Sequence, residues 1–224
     1  MSTLQHKKPL LQTLPLQIEE QIALSIVKGI YLPGSRLREI ELAQFFNVSR
    51  STIREALRLL ENRNLVQIKP QRGAHVTQLS AKELEDLFEV RASLLATGSR
   101  LAAANCNAAQ GKALTLHLSK LRESVADLDR YTATSAALVN TIMELSHNTI
   151  LASYINDFAH RIGRYVRLGL ALKSRRKNSL AIWVRLITAI KNGDGEEAGK
   201  LHRTLALNNR GAALEEFRRL ESKD

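Results

Sequence analysis

The stretch VSRSTIREALRLLE, residues 48–61, brings Arg50, Ser51, Thr52 and Arg54 together just where an apolar repeat of helical period begins. An arginine at the start of a helix can donate two hydrogen bonds to guanine O6 and N7 in a major groove. Ser and Thr hydroxyls, together with the unpaired N–H groups of a first helical turn, suit phosphate oxygens. Downstream, QRGAHV sets Arg72 and Gly73 at a tight turn with His75 just beyond, and an arginine at a hairpin tip is what insertion into a minor groove requires. The bland reading is a solvated helix face and an ordinary turn, so the elements that carry these residues must decide.

From Leu14, the apolar residues Ile18, Ile22 and Ile26 recur every fourth position and predict a helix that stops near Gly29. YLPGSR reads as a loop. A short second helix fits Glu39 to Phe46 with Leu42, Ala43 and Phe46 inward, and Asn47 suits a left-handed turn. Ser51 is then the expected N-cap of a third helix whose Ile53, Leu57 and Leu60 share a buried face. LVQIK and AHVT alternate apolar and polar residues on either side of PQRG, the pattern of a β-hairpin. Three helices followed by a hairpin make a winged helix-turn-helix, which places the start of the third helix at a major groove.

Composition agrees. The chain has 224 residues with 33 Lys and Arg against 22 Asp and Glu, a net charge of +11, enough to steer it toward nucleic acid or an anionic membrane surface. Through Thr77 there are 11 basic and 6 acidic residues (+5), and the rest holds 22 and 16 (+6), so positive charge is denser in the first part. The single cysteine, Cys106, allows no intrachain disulfide, and no apolar run reads as a signal peptide or membrane span. The reading is a cytoplasmic protein without a membrane partner. No nucleophile elbow, phosphate-binding glycine loop, metal-ligand cluster or close carboxylate pair argues for an enzyme.

Beyond Thr77 no strand pattern appears. Ser80-Ala-Lys-Glu83 reads as a capping box opening a long helix that carries Leu84, Leu87, Phe88, Arg91, Leu94 and Leu101. Leu114 to Leu128, Ala136 to Ser146 and Ile150 to about Leu172 suggest further helices. A break is expected over LKSRRKNS, then a helix over Leu180 to Lys191 and a last one, capped near Asp194, running toward Glu221. The fold class is therefore mainly α: a flexible N-terminus over 1–14, a winged helix-turn-helix over 15–77, and an all-α bundle of six or seven helices over 78–224.

PGSRL, Leu42-Ala43, VSRSTIREALRLLE and LVQIKPQRGAHV together resemble the DNA-binding domain of the GntR family of bacterial transcription regulators. The resemblance implies operator contacts from Arg50, Ser51, Thr52 and Arg54 on the helix and from Arg72, Gly73 and His75 on the wing. Ile40 stands where the family often has an arginine, so one contact is missing. VRASLLATGSRLAAAN, LSHNTIL and LITAIKNGDGEEA resemble the FCD-type C-terminal domain of the FadR subgroup, which senses ligands and dimerises. Many such domains hold a metal with one Asp and three His, and those positions fall here on Ser135, Val139, Trp183 and Leu205. Val, Trp and Leu offer a metal no donor, so no metal or other cofactor is expected. His117, His147, His160 and His202 are the other histidines from which a substitute site could be built.

The resemblance implies a homodimeric repressor on a palindromic double-stranded operator, controlled by a small metabolite without the usual metal. Its expected contacts are Arg91, Val139, Asn148, Arg164, Trp183 and Leu205. Val139, Trp183 and Leu205 favour an apolar or aromatic effector, unless Trp183 simply fills the space as core. In the basic run of Arg161, Arg164, Arg167, Lys173, Arg175, Arg176 and Lys177, most side chains read as a solvated face and loop. A helical arginine from it, or Arg91, could instead meet an effector carboxylate; added phosphate contacts are a third reading. The alternative function is a constitutive or architectural DNA-binding dimer whose C-terminal domain no longer binds a ligand.

Overall fold

The computed structural model describes residues 12–221, and the chain divides into two compact units between Gln78 and Leu79. Most of the flexible segment expected over 1–14 lies outside the described residues. The first unit runs α1 (Leu14–Lys28), β1 (Arg36–Leu37), α2 (Glu39–Phe46), α3 (Arg50–Asn62), β2 (Val66–Lys69) and β3 (Gly73–Val76). A proline in the first turn starts α1, and Gly29 at φ 81° ends it in the left-handed conformation that glycine tolerates. Ile18, Ile22 and Ile26 pack with Ile53, Ala56, Leu57 and Leu60 of α3, and each large side chain so buried contributes about 1.5–3 kcal/mol. At the end of α3, Arg63 donates to the fully buried Glu19 of α1 at 2.8 Å. This pins the end of α3 to α1.

Asn47, at φ 52°, closes α2, and α3 follows three residues later. The cap of α3 is Ser49 rather than Ser51: its hydroxyl oxygen accepts from the Thr52 N–H at 3.2 Å. VSRS offers two serines two residues apart, and the left-handed turn at Asn47 leaves the earlier one in the extended conformation a cap needs. The sheet also exceeds the expected hairpin. Its strands order β1-β3-β2, all antiparallel, with Arg36 opposite His75 and Lys69 opposite Gly73. A two-residue strand shows no alternation, so β1 read as loop.

The second unit contains, among the described residues, α4 (Ala81–Asn105), α5 (Ala108–Glu123), α6 (Leu128–Leu145), α7 (Thr149–Gly169), α8 (Lys173–Lys191) and α9 (Gly195–Glu221). Ser80 and Asn107 form capping boxes for α4 and α5, and Asp127 and Asn148 cap α6 and α7 through their side chains. Leu128, expected to close a helix, instead opens α6. Long α4 and α9 pack together, clasped by Glu89, which accepts from both Arg203 and Arg210 of α9. Leu95 of α4 is core.

The break expected over LKSRRKNS is confined to its first residue, because α8 begins at Lys173. Nothing in residues 173–179 breaks a helix, since the segment lacks Gly and Pro. Arg176 is not part of a solvated face: it is 5% exposed. Its Nη1 donates to the Leu170 and Ala171 carbonyls at 2.7 Å each, its Nε to Val125 O at 2.8 Å, and its Nη2 to Ala126 O at 3.4 Å. The side chain thereby satisfies carbonyls at the end of α7 and in the turn before α6. No helix among the described residues is long and apolar enough to cross a membrane.

Candidate nucleic-acid interface and effector domain

At the N-terminus of α3, Arg50, Ser51 and Arg54 are exposed and Thr52 is partly so, while Ile53 between them is buried. The helical repeat therefore turns the polar set outward as one group. Ser49 Oγ lies 2.7 Å from Ser51 Oγ and 2.8 Å from Thr52 Oγ1, a cluster of hydroxyls at the positive end of the helix. The two arginines are not loose. Both reach Glu39, the first residue of α2: Arg54 Nε donates at 3.0 and 2.9 Å to its two oxygens, and Arg50 Nη2 donates at 3.3 Å. Hydrogen bonds from Arg54 in particular hold the Glu39 carboxyl below its ordinary pKa, and Glu39 in turn raises that of Arg54.

The wing turn runs through Pro70, Gln71 and Arg72. Gln71 at φ 60° and Gly73 at φ 83° both take the left-handed region, and Arg72 at the tip is exposed. His75 Nδ1 lies 3.2 Å from the Gly73 carbonyl, which orients the imidazole along the strand. β1 adds a residue that sequence reasoning missed. Arg36 sits across from His75, and its guanidinium lies over Gly73, where an added Cβ would meet Nε at 3.5 Å. The signal was the Arg of PGSRL, legible only once β1 was known to pair with the wing. Ile40 is 55% exposed beside Glu39, an open apolar surface where the resemblance implies an arginine.

In the second unit Val139 of α6 and Trp183 of α8 are buried in one apolar cluster, and Leu205 of α9 packs against it. Ser135 Oγ donates to the Thr132 carbonyl at 3.0 Å. These four positions do not fit a metal: three carry no donor atom, and the fourth has its hydroxyl bonded within its own helix. Among the described residues no three of His, Cys, Asp and Glu gather where they could hold one. Asn148 is exposed and its side chain caps α7, accepting from Leu151 N at 3.0 Å. Arg164 is partly buried beside Tyr165, and burial lowers its pKa.

Sequence spacing did not reveal the polar group in this core. His202 is 1% exposed, its Nδ1 lies 2.6 Å from Ser99 Oγ of α4, and its ring packs edge-on to Trp183 at 5.3 Å. Burial, reinforced by the nearby Arg91 charge, pushes its pKa down to about 3. Arg91, on α4, has its Nε shut off from solvent, and desolvation lowers its pKa to about 10. Neither Arg91 Nε nor His202 Nε2 has a hydrogen-bond partner. The histidine also sets a pH dependence. The unfolded chain protonates it below about 6.5 and the native one only near 3, so stability present at neutral pH is lost as pH falls across that window. The loss is about 2 kcal/mol by about pH 5. Urea unfolding of wild type and His202→Gln at neutral and mildly acidic pH checks this, and the variant is expected to show the smaller loss.

A winged helix with exposed arginines at its third helix and its wing, followed by an all-α bundle, defines a DNA-binding regulator with a separate C-terminal domain. Residues 14–76 match the family described as bacterial regulatory proteins, gntR family, and residues 86–207 match the FCD domain. The chain belongs to the GntR family of transcription regulators, within the group that carries an FCD domain. It is 31% identical over 154 residues to an uncharacterised HTH-type transcriptional regulator, YdhC, of Bacillus subtilis, covering 65% of this chain and 67% of that one. It is 32% identical over 109 residues to the HTH-type transcriptional repressor RspR of Escherichia coli, a match spanning 49% of this chain and 48% of that protein. Among solved structures, E. coli McbR/YncC superposes with a TM-score of 0.82 at 21% identity, over 92% of this chain and all of that one, which shows the shared fold.

Proposed function

We propose that this regulator is a cytoplasmic homodimeric repressor on a two-fold symmetric operator, and that a small organic anion releases it. The observation that carries the DNA half is the outward set at the start of α3, where Arg50, Ser51, Thr52 and Arg54 surround the buried Ile53. In the proposed complex Arg54 reads a guanine, the hydroxyls and first-turn N–H groups hold phosphate, and Arg72, Gly73, His75 and Arg36 form the wing contact. Symmetry of the dimer is matched by symmetry of the half-sites. Binding of wild type and Arg72→Ala to one operator across a salt series tests the wing. Loss of one phosphate contact reduces the log–log salt slope by about 0.9, and an unchanged slope and affinity rejects the contact.

The effector half rests on Arg91 Nε and His202 Nε2, two buried polar atoms without a hydrogen-bond partner. If Ser99 donates to His202 Nδ1, then Nε2 carries a hydrogen, and two donors await an acceptor. A carboxylate with an apolar body supplies it, with Trp183, Val139 and Leu205 as walls. The deep burial of Trp183, 2% exposed, favours a second reading: the space is filled core and the domain only dimerises. Thermal shift with a panel of aliphatic and aromatic carboxylates separates the two. A rise that disappears in Arg91→Gln supports the sensor, and no rise across the panel supports the constitutive dimer.

A further inference from the structure

Glu39 presents a puzzle at a surface built to meet a polyanion. A carboxylate at the edge of a DNA-binding face repels phosphate, yet this one lies between the two arginines that the helix turns outward. Its exposure is 29%, against 55% for the Arg50 side chain and 56% for that of Arg54, so the acid is the inner member of the group. The bonding pattern is specific. Both Glu39 oxygens take the Nε hydrogen of Arg54, at 3.0 and 2.9 Å, and one of them also takes Arg50 Nη2 at 3.3 Å.

A guanidinium can grip guanine in two ways, side-on through Nε and one Nη, or end-on through its two Nη groups. With Nε engaged by Glu39, the side-on grip is closed and the outer edge of Arg54 stays open. The side chain is also held in one pose before DNA arrives, which lowers the entropy lost on docking a long flexible residue. A carboxylate near phosphate meanwhile weakens contacts that carry no base information. From this geometry we infer that Glu39 is the specificity-determining positioning residue of the interface: it fixes Arg54 for end-on reading of a base and lowers affinity for non-cognate DNA. The inference rests on the proposed reading of Arg54 as a base contact.

Glu39 is also an acidic residue in the first turn of α2, so a merely structural role would be support of that helix. Loss of such support would lower thermal stability and reduce binding to every DNA alike. The discriminating quantity is the ratio of affinities for the selected operator and for an unrelated duplex of equal length, at one salt concentration. It is measured for wild type, Glu39→Ala, Glu39→Gln, Arg54→Ala and the double variant of Glu39→Ala with Arg54→Ala. Glu39→Ala is expected to raise affinity for the unrelated duplex about twofold and to lower the ratio about tenfold. Glu39→Gln, which keeps one acceptor, should fall between. In the Arg54→Ala background, removing Glu39 should change the ratio little, the coupling a double-mutant cycle reads.

An unchanged ratio in Glu39→Ala, with Arg54→Ala still weakening operator binding, overturns the role of Glu39 and leaves the Arg54 contact standing. If Arg54→Ala itself leaves operator affinity intact, the base contact fails and the positioning role fails with it. A uniform drop on both duplexes together with a lower Tm assigns Glu39 to helix support and overturns the inference.

Discussion

Replacing Arg54 by alanine is expected to weaken operator binding by roughly ten- to a hundredfold while leaving thermal stability unchanged, because a bidentate arginine–guanine contact is worth about 1–3 kcal/mol. The side chain is exposed and makes no core contact; its bonds run to Glu39 on the same surface. An exposed ion pair contributes little to folding, so the fold should not register the change. Specificity should: the binding preference at one base position of each half-site should relax, while affinity for unrelated duplex changes by one phosphate contact at most. Titration of the variant against operators altered at each position checks both. Loss of affinity with no relaxation at any base would make Arg54 a phosphate contact instead.

The largest effect on stability is expected from Arg176→Ala. Four backbone carbonyls, of Val125, Ala126, Leu170 and Ala171, take hydrogen bonds from one buried guanidinium. Truncation leaves carbonyls at the end of α7 and before α6 unsatisfied and opens a cavity where the side chain packed. The combined cost is about 3–5 kcal/mol. For a unit of this size that is roughly a 10 °C fall in melting temperature. Arg175→Ala, which removes a pair with the exposed Glu215, should cost under about 1 kcal/mol. Calorimetry on the two neighbouring variants makes the contrast. Equal effects would mean that the four carbonyl bonds do not hold this corner together.

These two arginines mark what a sequence can and cannot show here. Arg54 was legible because its surroundings are local: Ile53, Leu57 and Leu60 define the buried face, and the helical period leaves Arg54 off it. The left-handed Asn47 and the capping box at Ser80 were equally local, each written within a few residues. Arg176 was not legible, because three of its neighbours in the basic run, Lys173, Arg175 and Lys177, are of the same charge, and its partners at Val125 and Ala126 lie about fifty residues away. The pairing of Ser99 with His202 spans 103 positions, and that of Arg54 with Glu39 spans 15 across a turn. β1 was too short to carry a pattern, which hid Arg36 from the wing. Val139 and Trp183, named from the resemblance, share one apolar cluster, yet the unpartnered His202 Nε2 and Arg91 Nε lie outside the four metal-ligand positions.

The most direct test is selection of operators from random duplex DNA with the full chain, followed by light scattering of the protein on its selected site. The expected result is an inverted repeat whose half-sites are centred about one helical turn apart, bound by two protomers. Enrichment of a single unrepeated site bound by one protomer, or no enrichment over unrelated DNA, would contradict it.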